Sequence, residues 1–124
     1  MGNPPGNMPR MTEDPPSLGW YAVRCIFAVG WPPEAAGKTY EERITLWQAR
    51  SIDEAIERAE TEASEYASEI EESPSHYLGM AQAFQLVEPP ADGAEVFSLL
   101  RDSQLGPDEY LTTYFDTGDE HQQK

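Results

Sequence analysis

One long amphipathic helix is the feature that most constrains the fold of this chain. The range from Ser51 to Glu72 contains nine acidic side chains and one basic one. A helix with one apolar stripe packs against another layer of structure and turns its polar side to water. Within the range, apolar residues recur at the helical spacings of three and four; they are Ile52, Ala55, Ile56, Ala59, Ala63, Tyr66, Ala67 and Ile70.

Both ends of this helix carry local signals. Ser51 and Glu54 have the spacing of a capping box, so the hydroxyl and the carboxylate are each expected to accept a backbone N–H of the first turn. We expect the helix to end before Pro74, because the residue preceding a proline avoids helical geometry. Acidic residues near the carboxyl end oppose the helix dipole. Glu65, Glu69 and Glu72 therefore suggest a docking surface for a basic protein segment, although a solvated acidic face is the simpler interpretation.

Four segments have the composition of β-strands, and they flank the helix in pairs. The first two are expected to form an antiparallel hairpin, with Tyr40, Ile44 and Leu46 sharing one face of the second strand. Pro107 fits the first position of a short helix that extends to Phe115. The four strand segments are Trp20 to Val29, Thr39 to Ala49, Tyr77 to Val87 and Ala94 to Arg101.

These elements predict an α+β fold. The expected architecture is a four-stranded, mostly antiparallel sheet in ββαββ order, with the long helix across one face and a short C-terminal helix. Residues 1–18 are rich in proline and glycine and are expected to be a disordered leader. Residues 19–118 are expected to form a single domain, and residues 119–124 to be a frayed tail.

The charge balance restricts the classes of partner. The chain has 23 acidic and 8 basic residues and a net charge of −15, which argues against nucleic-acid and anionic-membrane partners. A lone cysteine, Cys25, excludes an intrachain disulfide and is consistent with a reducing compartment. Because no apolar segment is long enough to span a bilayer, a cytoplasmic protein is expected.

Catalytic and metal-binding motifs are not recognised in the sequence. Glu41 and Glu42 are adjacent on a strand, so they point to opposite faces and do not form an acid–base pair. His76 and His121 have no neighbours at ligand spacing. The sequence therefore indicates no catalytic residue, cofactor or metal, and a non-enzymatic role is favoured without being decided.

The sheet face opposite the long helix is the second candidate surface. If the helix covers Tyr21, Val23, Cys25 and Phe27, we expect the other face to show an aromatic and basic set that ordinary solvent-facing surface lacks. The short C-terminal helix or a second copy of the chain is expected to cover it, and both alternatives stay open. The set consists of Trp20, Arg24, Ile26, Arg43 and Trp47.

Two functions follow from these surfaces. The first is a protein-interaction module, which is either monomeric or a homodimer and binds a basic or amphipathic partner. The alternative is a small-ligand binder or modest enzyme whose pocket is lined by Trp20, Arg24, Arg43 and Trp47.

Several segments resemble a family of short bacterial proteins known only as a domain of unknown function, the DUF4288 type. The resemblance covers most of the chain after the leader and implies a single bacterial cytosolic domain. It implies no activity, cofactor or catalytic residue. The similar segments are Trp20 to Phe27, Tyr40 to Trp47, the helix opening at Ser51, Gly93 to Ser103 and Tyr114 to Gly118.

Overall fold

The computed structural model describes residues 17–30, 38–69 and 75–122 and shows an α+β fold. Its elements follow one another along the chain. They are strands β1 (Gly19–Val29) and β2 (Tyr40–Ala49), helix α1 (Ile52–Ala67), strand β3 (Ser75–Gln85), helix α2 (Pro107–Tyr110) and a π-helical turn (Leu111–Phe115) that continues α2.

The three strands form one antiparallel sheet in the order β2-β1-β3. The predicted hairpin of β1 and β2 is confirmed, and Gly19 pairs with Ala49 at its open end. Strand β3 lies on the other side of β1, and its register shifts between the partners of Cys25 and Phe27. Gly79 lies in this irregular stretch with a φ of 80°, a conformation that favours glycine.

The predicted fourth strand is not present among the described residues. Residues 94–101 have no strand partner, so the four-stranded ββαββ arrangement is not confirmed. The physical reason is visible at Phe97, whose ring lies 6.0 Å from the ring of Phe84. This segment therefore packs over a face of the sheet, while a fourth strand would pair along an edge.

Helix α1 covers one face of the sheet and forms the core with it, as predicted. Tyr21, Val23, Cys25 and Phe27 are buried on the helix-facing side of β1. Helix α1 meets them with small side chains, and this allows a close approach of the helix to the sheet. The buried helix residues are Ala55, Ala59, Ala63 and Ala67.

The start of α1 agrees with the capping prediction in part. Ser51 Oγ accepts the backbone N–H of Glu54 at 3.0 Å, as expected. The carboxylate of Glu54 accepts the backbone N–H of Arg50 at 2.6 Å, one residue earlier than in a capping box. This hydrogen bond is the main reason that the pKa of Glu54 lies below its ordinary value.

The end of α1 comes earlier than predicted. The helix stops at Ala67, and Ser68 and Glu69 donate to Glu65 and Tyr66 in tighter three-residue turns. Glu69 therefore lies beyond the helix, which is consistent with the unfavourable dipole at its carboxyl end. The predicted helical positions Ile70, Glu71 and Glu72 lie outside the described residues.

The orientation of β2 corrects one prediction. Arg43 pairs with Cys25 and Trp47 pairs with Tyr21, so both side chains lie on the helix-facing side of the sheet. Placing Arg43 and Trp47 on the opposite face was wrong. The alternation of Tyr40, Ile44 and Leu46 was the source of the error, because these apolar side chains are exposed on the face away from α1.

Several sequence predictions concern residues that the structure does not describe. The leader up to residue 16 and the loop residues 31–37 are outside the described residues. The domain boundaries stay predictions. Of the helices in the described ranges, none has the length and apolar character needed to cross a membrane.

Candidate interaction surface

The sheet face that points away from α1, which we call the outer face, carries large apolar side chains in contact with solvent. Ile44 and Leu46 on β2 are 45% and 40% exposed, and Leu78 and Met80 on β3 are 46% and 64% exposed. These residues lie on the two outer strands, on either side of Arg24 of the central strand, and large exposed apolar patches commonly mark association sites. We call these four residues the outer patch.

Arg24 lies on the outer face of the central strand, near the outer patch. Its guanidinium contacts the carboxylate of Glu42 at 3.4 Å and donates to the side-chain carbonyl of Gln82. The guanidinium carbon also lies 5.3 Å from the centroid of the Phe97 ring. Arg24 Nε is buried without a hydrogen-bond partner among the described residues. The charge of Arg24 is thus balanced by Glu42.

The extended segment that follows β3 covers part of the outer face. Phe97 packs between Arg24 and Phe84, and it is half-buried. Leu99 and Leu100 on the same segment are 44% and 95% exposed. Phe97 therefore anchors the segment to the sheet, while its neighbouring apolar side chains stay in solvent.

Residues 105–115, which we call the C-terminal arm, contain α2 and the π-helical turn. Among the described elements, α2 and its π-helical turn contact each other but not α1 or any strand. Arg101 holds the arm, because its guanidinium donates to the Tyr110 hydroxyl at 2.8 Å and lies 4.2 Å from the Tyr114 ring centroid. The prediction that this helix covers the outer face of its own sheet is therefore wrong for the described residues.

The helix-facing side holds a compact polar cluster at the edge of the core. Arg43 makes two hydrogen bonds to the carboxylate of Glu62, at 2.7 and 2.9 Å, and its guanidinium carbon lies 3.8 Å from the Tyr66 ring centroid. The hydrogen bonds that Arg43 donates to Glu62 raise the pKa of Arg43. Trp47 packs against the core and donates to Thr45 at 2.7 Å.

Two tyrosines bind acidic residues in the same layer. The Tyr66 hydroxyl donates to Glu41 at 2.8 Å, and the Tyr77 hydroxyl donates to Glu60 at 2.5 Å. Burial raises the pKa of both tyrosines, and the neighbouring carboxylates raise it further. Part of the acidic character of the chain is therefore used in internal contacts.

The described residues provide little chemistry for catalysis. Cys25 is 4% exposed, and burial raises the pKa of its thiol, so the reactive thiolate is disfavoured. The described part of the chain contains no group of three or more His, Cys, Asp or Glu side chains placed to hold a metal ion. Glu41 and Glu42 bind Tyr66 and Arg24 on opposite faces, as expected from their adjacency.

The residues predicted for a site are not brought together. Trp20 and Arg24 lie on the outer face, whereas Arg43 and Trp47 lie on the side of α1, so the sheet itself separates the two pairs. Glu65 and Glu69 are exposed at and beyond the end of α1. Glu72 lies outside the described residues.

Sequence reasoning missed the residues that give the outer face its character. Leu78, Met80 and Phe97 were each assigned to a strand but not to the candidate surface. One signal was present in the run from Val96 to Leu100, which has apolar side chains without a clean alternation. Such a run does not belong to a strand with one polar face.

Comparison of the chain with protein-family models, with curated proteins and with solved structures finds no match. The resemblance to the bacterial domain-of-unknown-function family therefore stays a prediction.

Proposed function

We propose that this protein is a non-enzymatic protein-interaction module and that the outer face of its sheet is the docking surface. The observation that carries the proposal is the outer patch, whose four large apolar side chains are 40–64% exposed. Burying them against a partner removes apolar surface from water, at about 25 cal/mol for each Å².

The electrostatics of the outer face favour an apolar partner over a basic one. Arg24 and Glu42 form an ion pair on this face, so their charges cancel. The acidic surface of α1 remains a second route to a partner, through exposed residues such as Glu57 and Glu65. The two routes respond differently to salt, because screening weakens contacts between exposed charges and leaves apolar contacts in place.

The small-ligand alternative has less support. A pocket lined by Trp20, Arg24, Arg43 and Trp47 requires these side chains to converge, and they lie on two sides of one sheet. We therefore favour interaction over ligand binding. We also propose a reducing, cytoplasmic location, because Cys25 is buried as a free thiol.

Site-specific photocrosslinking in the native host tests the proposal. A photoreactive residue at position 46 or 80 is expected to give a covalent protein adduct that mass spectrometry identifies. The matched control is position 57 on α1, which is exposed but lies on the other side of the molecule. The substitution Ile44→Asp should abolish the adduct formed from position 80, because it places a charge within the apolar contact.

Salt decides between the two routes. An adduct from the outer patch that persists at about 1 M NaCl, where screening extends over only about 3 Å, supports apolar docking. Adducts that form only from position 57 and disappear in salt would assign the function to the acidic helix. No adduct from either outer position would remove the outer face from consideration.

A further inference from the structure

The chain presents two apolar surfaces that do not touch each other. The first is the outer patch. The second is the C-terminal arm, in which Leu111, Tyr114 and Phe115 are 49%, 46% and 75% exposed. Among the described helices and strands none packs on either surface, and the segment of Phe97 covers only part of the outer face.

The C-terminal arm is too short to be stable in water by itself. Helix α2 has four residues and its π-helical turn has five, whereas isolated helices shorter than about 12 residues are marginal. Arg101 fixes the arm locally through Tyr110 and Tyr114, but this leaves the side chains of Leu111 and Phe115 in solvent. The helical form of the arm is therefore best explained by a surface on which these side chains pack.

The anchoring of the arm disfavours its return to its own sheet. Phe97 holds the preceding segment on the sheet, and Arg101 holds the arm against that segment. Folding the arm back over the outer patch would break the contacts of Arg101 with Tyr110 and Tyr114. The arm of a second copy can cover the outer patch, and the contacts of Arg101 with Tyr110 and Tyr114 are kept.

The apolar area agrees with a second copy as the occupant, and the charge of the outer patch does not call for a basic partner. A partner attracted by charge would be basic, and the outer patch offers it no net charge, since Arg24 balances Glu42. Aromatic side chains bury about 150–250 Å² each, and the same range applied to all seven residues at their exposed fractions gives roughly 550–900 Å² per copy for the patch and the arm together. Stable interfaces bury about 800 Å² per partner.

We propose that the protein is a two-fold dimer in which the C-terminal arm of each copy packs on the outer patch of the other. The proposal rests on the proposed function, because it names the occupant of the same docking surface. Such an interface is self-complementary: the patch meets the arm twice across the two-fold axis.

Sedimentation equilibrium of the full chain tests the dimer. The wild type is expected to have about twice the monomer mass of 13.9 kDa at micromolar concentration. Ile44→Asp in the patch and Phe115→Asp in the arm should each weaken the dimer by at least about 30-fold, as at a hot-spot residue. The matched controls are Val87→Asp, at a site 90% exposed outside the patch, and Thr113→Asp on the arm, and both should remain dimeric.

Cysteine crosslinking tests the contact between the patch and the arm without using a variant that weakens the dimer. A chain carrying Leu46→Cys is mixed with a chain carrying Phe115→Cys, and a bismaleimide is added. Dimers that contain one copy of each variant are expected, and Cys25 contributes little because it is buried. A crosslink formed within one chain that carries both substitutions would show that the arm packs on its own sheet, and this would overturn the proposed dimer.

The outcomes separate this proposal from the proposed function. A monomeric wild type together with adducts to a different protein from position 80 would overturn the dimer and leave the docking surface in place. A monomeric wild type without such adducts would overturn both. A dimer that is lost in Ile44→Asp and kept in Phe115→Asp would overturn the role of the arm.

Discussion

At the scale of single residues, Arg43 shows how one side chain joins two layers of the molecule. It extends from β2 and meets Glu62 of α1 with two hydrogen bonds, while its flat guanidinium stacks on Tyr66. A lysine offers neither the paired donors nor the planar group. Arg43 therefore connects the sheet to the helix in a way that a charge alone does not reproduce.

We expect Arg43→Lys to lower the free energy of unfolding by about 1–2 kcal/mol, because one charged hydrogen bond and the stacking contact are lost. Urea denaturation measures the change. The matched control is Arg50→Lys at an exposed ion pair with Glu54, where about 0.5 kcal/mol or less is expected. Equal effects at the two sites would show that the geometry at Arg43 adds nothing.

The hydroxyls of Tyr66 and Tyr77 make stability depend on alkaline pH. Both donate to carboxylates, and the pKa of each is raised above its ordinary value of about 10 by burial first and by the carboxylate second. Because the unfolded chain releases these protons at lower pH than the folded one, the stabilisation is complete below about pH 10. It is lost as the pH rises from there through the folded pKa.

The measurement is the free energy of unfolding in urea between about pH 8 and pH 11. The double variant Tyr66→Phe/Tyr77→Phe should be less stable near neutral pH by about 1 kcal/mol for each lost hydrogen bond. Its decline above pH 10 should also be shallower than that of the wild type. Tyr114→Phe, at a site 46% exposed on the arm, is the control and should keep the wild-type decline. If the double variant loses stability above pH 10 as steeply as the wild type, the alkaline loss is not caused by Tyr66 and Tyr77.

At the scale of elements, the contact between α1 and the sheet depends on small side chains. Ala55, Ala59 and Ala63 are 0–1% exposed where the helix meets β1. Ala59→Leu should therefore destabilise the protein by about 1–3 kcal/mol, since the added methyl groups have no space in a close-packed layer. Thermal unfolding measures the loss. Ser64→Leu introduces the same side chain on the exposed side of the same helix, raises helix propensity slightly and should change stability little. Similar losses at the two sites would indicate a loosely packed interface.

Local signals in the sequence predicted most of the elements. Ser51 marks the start of α1, Pro107 begins α2 at the expected position, and the alternation from Tyr21 to Val29 identifies β1 and its helix-facing side. These signals depend on neighbouring residues, so no tertiary information was needed.

The sequence predictions were wrong where the position of an element depends on residues that are distant in the sequence. The orientation of β2 follows from its register with β1, and a shift of one residue reverses every side chain. Apolar residues on the exposed side made Ile44 appear to face the core, which moved Arg43 and Trp47 to the wrong side. The segment of Phe97 is apolar enough for a strand, but its partner is a sheet face. The predicted pocket required Arg43 and Trp47 on the outer face, so it was lost when they proved to lie on the side of α1. The placement of Trp20 and Arg24 on the outer face was predicted from the sequence.

At the scale of the whole molecule, charge and apolar surface are separated. The acidic residues of α1 lie on one side of the sheet, and the outer patch lies on the other. Because the chain has a net charge of −15, two copies repel each other at long range even when their apolar faces match. The proposed apolar dimer is therefore expected to form against an electrostatic penalty that depends on ionic strength.

This penalty gives the dimer a distinctive salt dependence. Raising NaCl from about 0.1 M to about 1 M shortens the screening length from about 10 Å to about 3 Å, which reduces the repulsion between copies. The dissociation constant of the dimer should then fall several-fold, as measured by sedimentation equilibrium at each salt concentration. Ile44→Asp should remain largely monomeric over the same range, because salt does not restore an apolar contact that holds a buried charge. An interface built on ion pairs behaves in the opposite way, so a dissociation constant that rises with salt would show that the copies associate through the charged surface of α1.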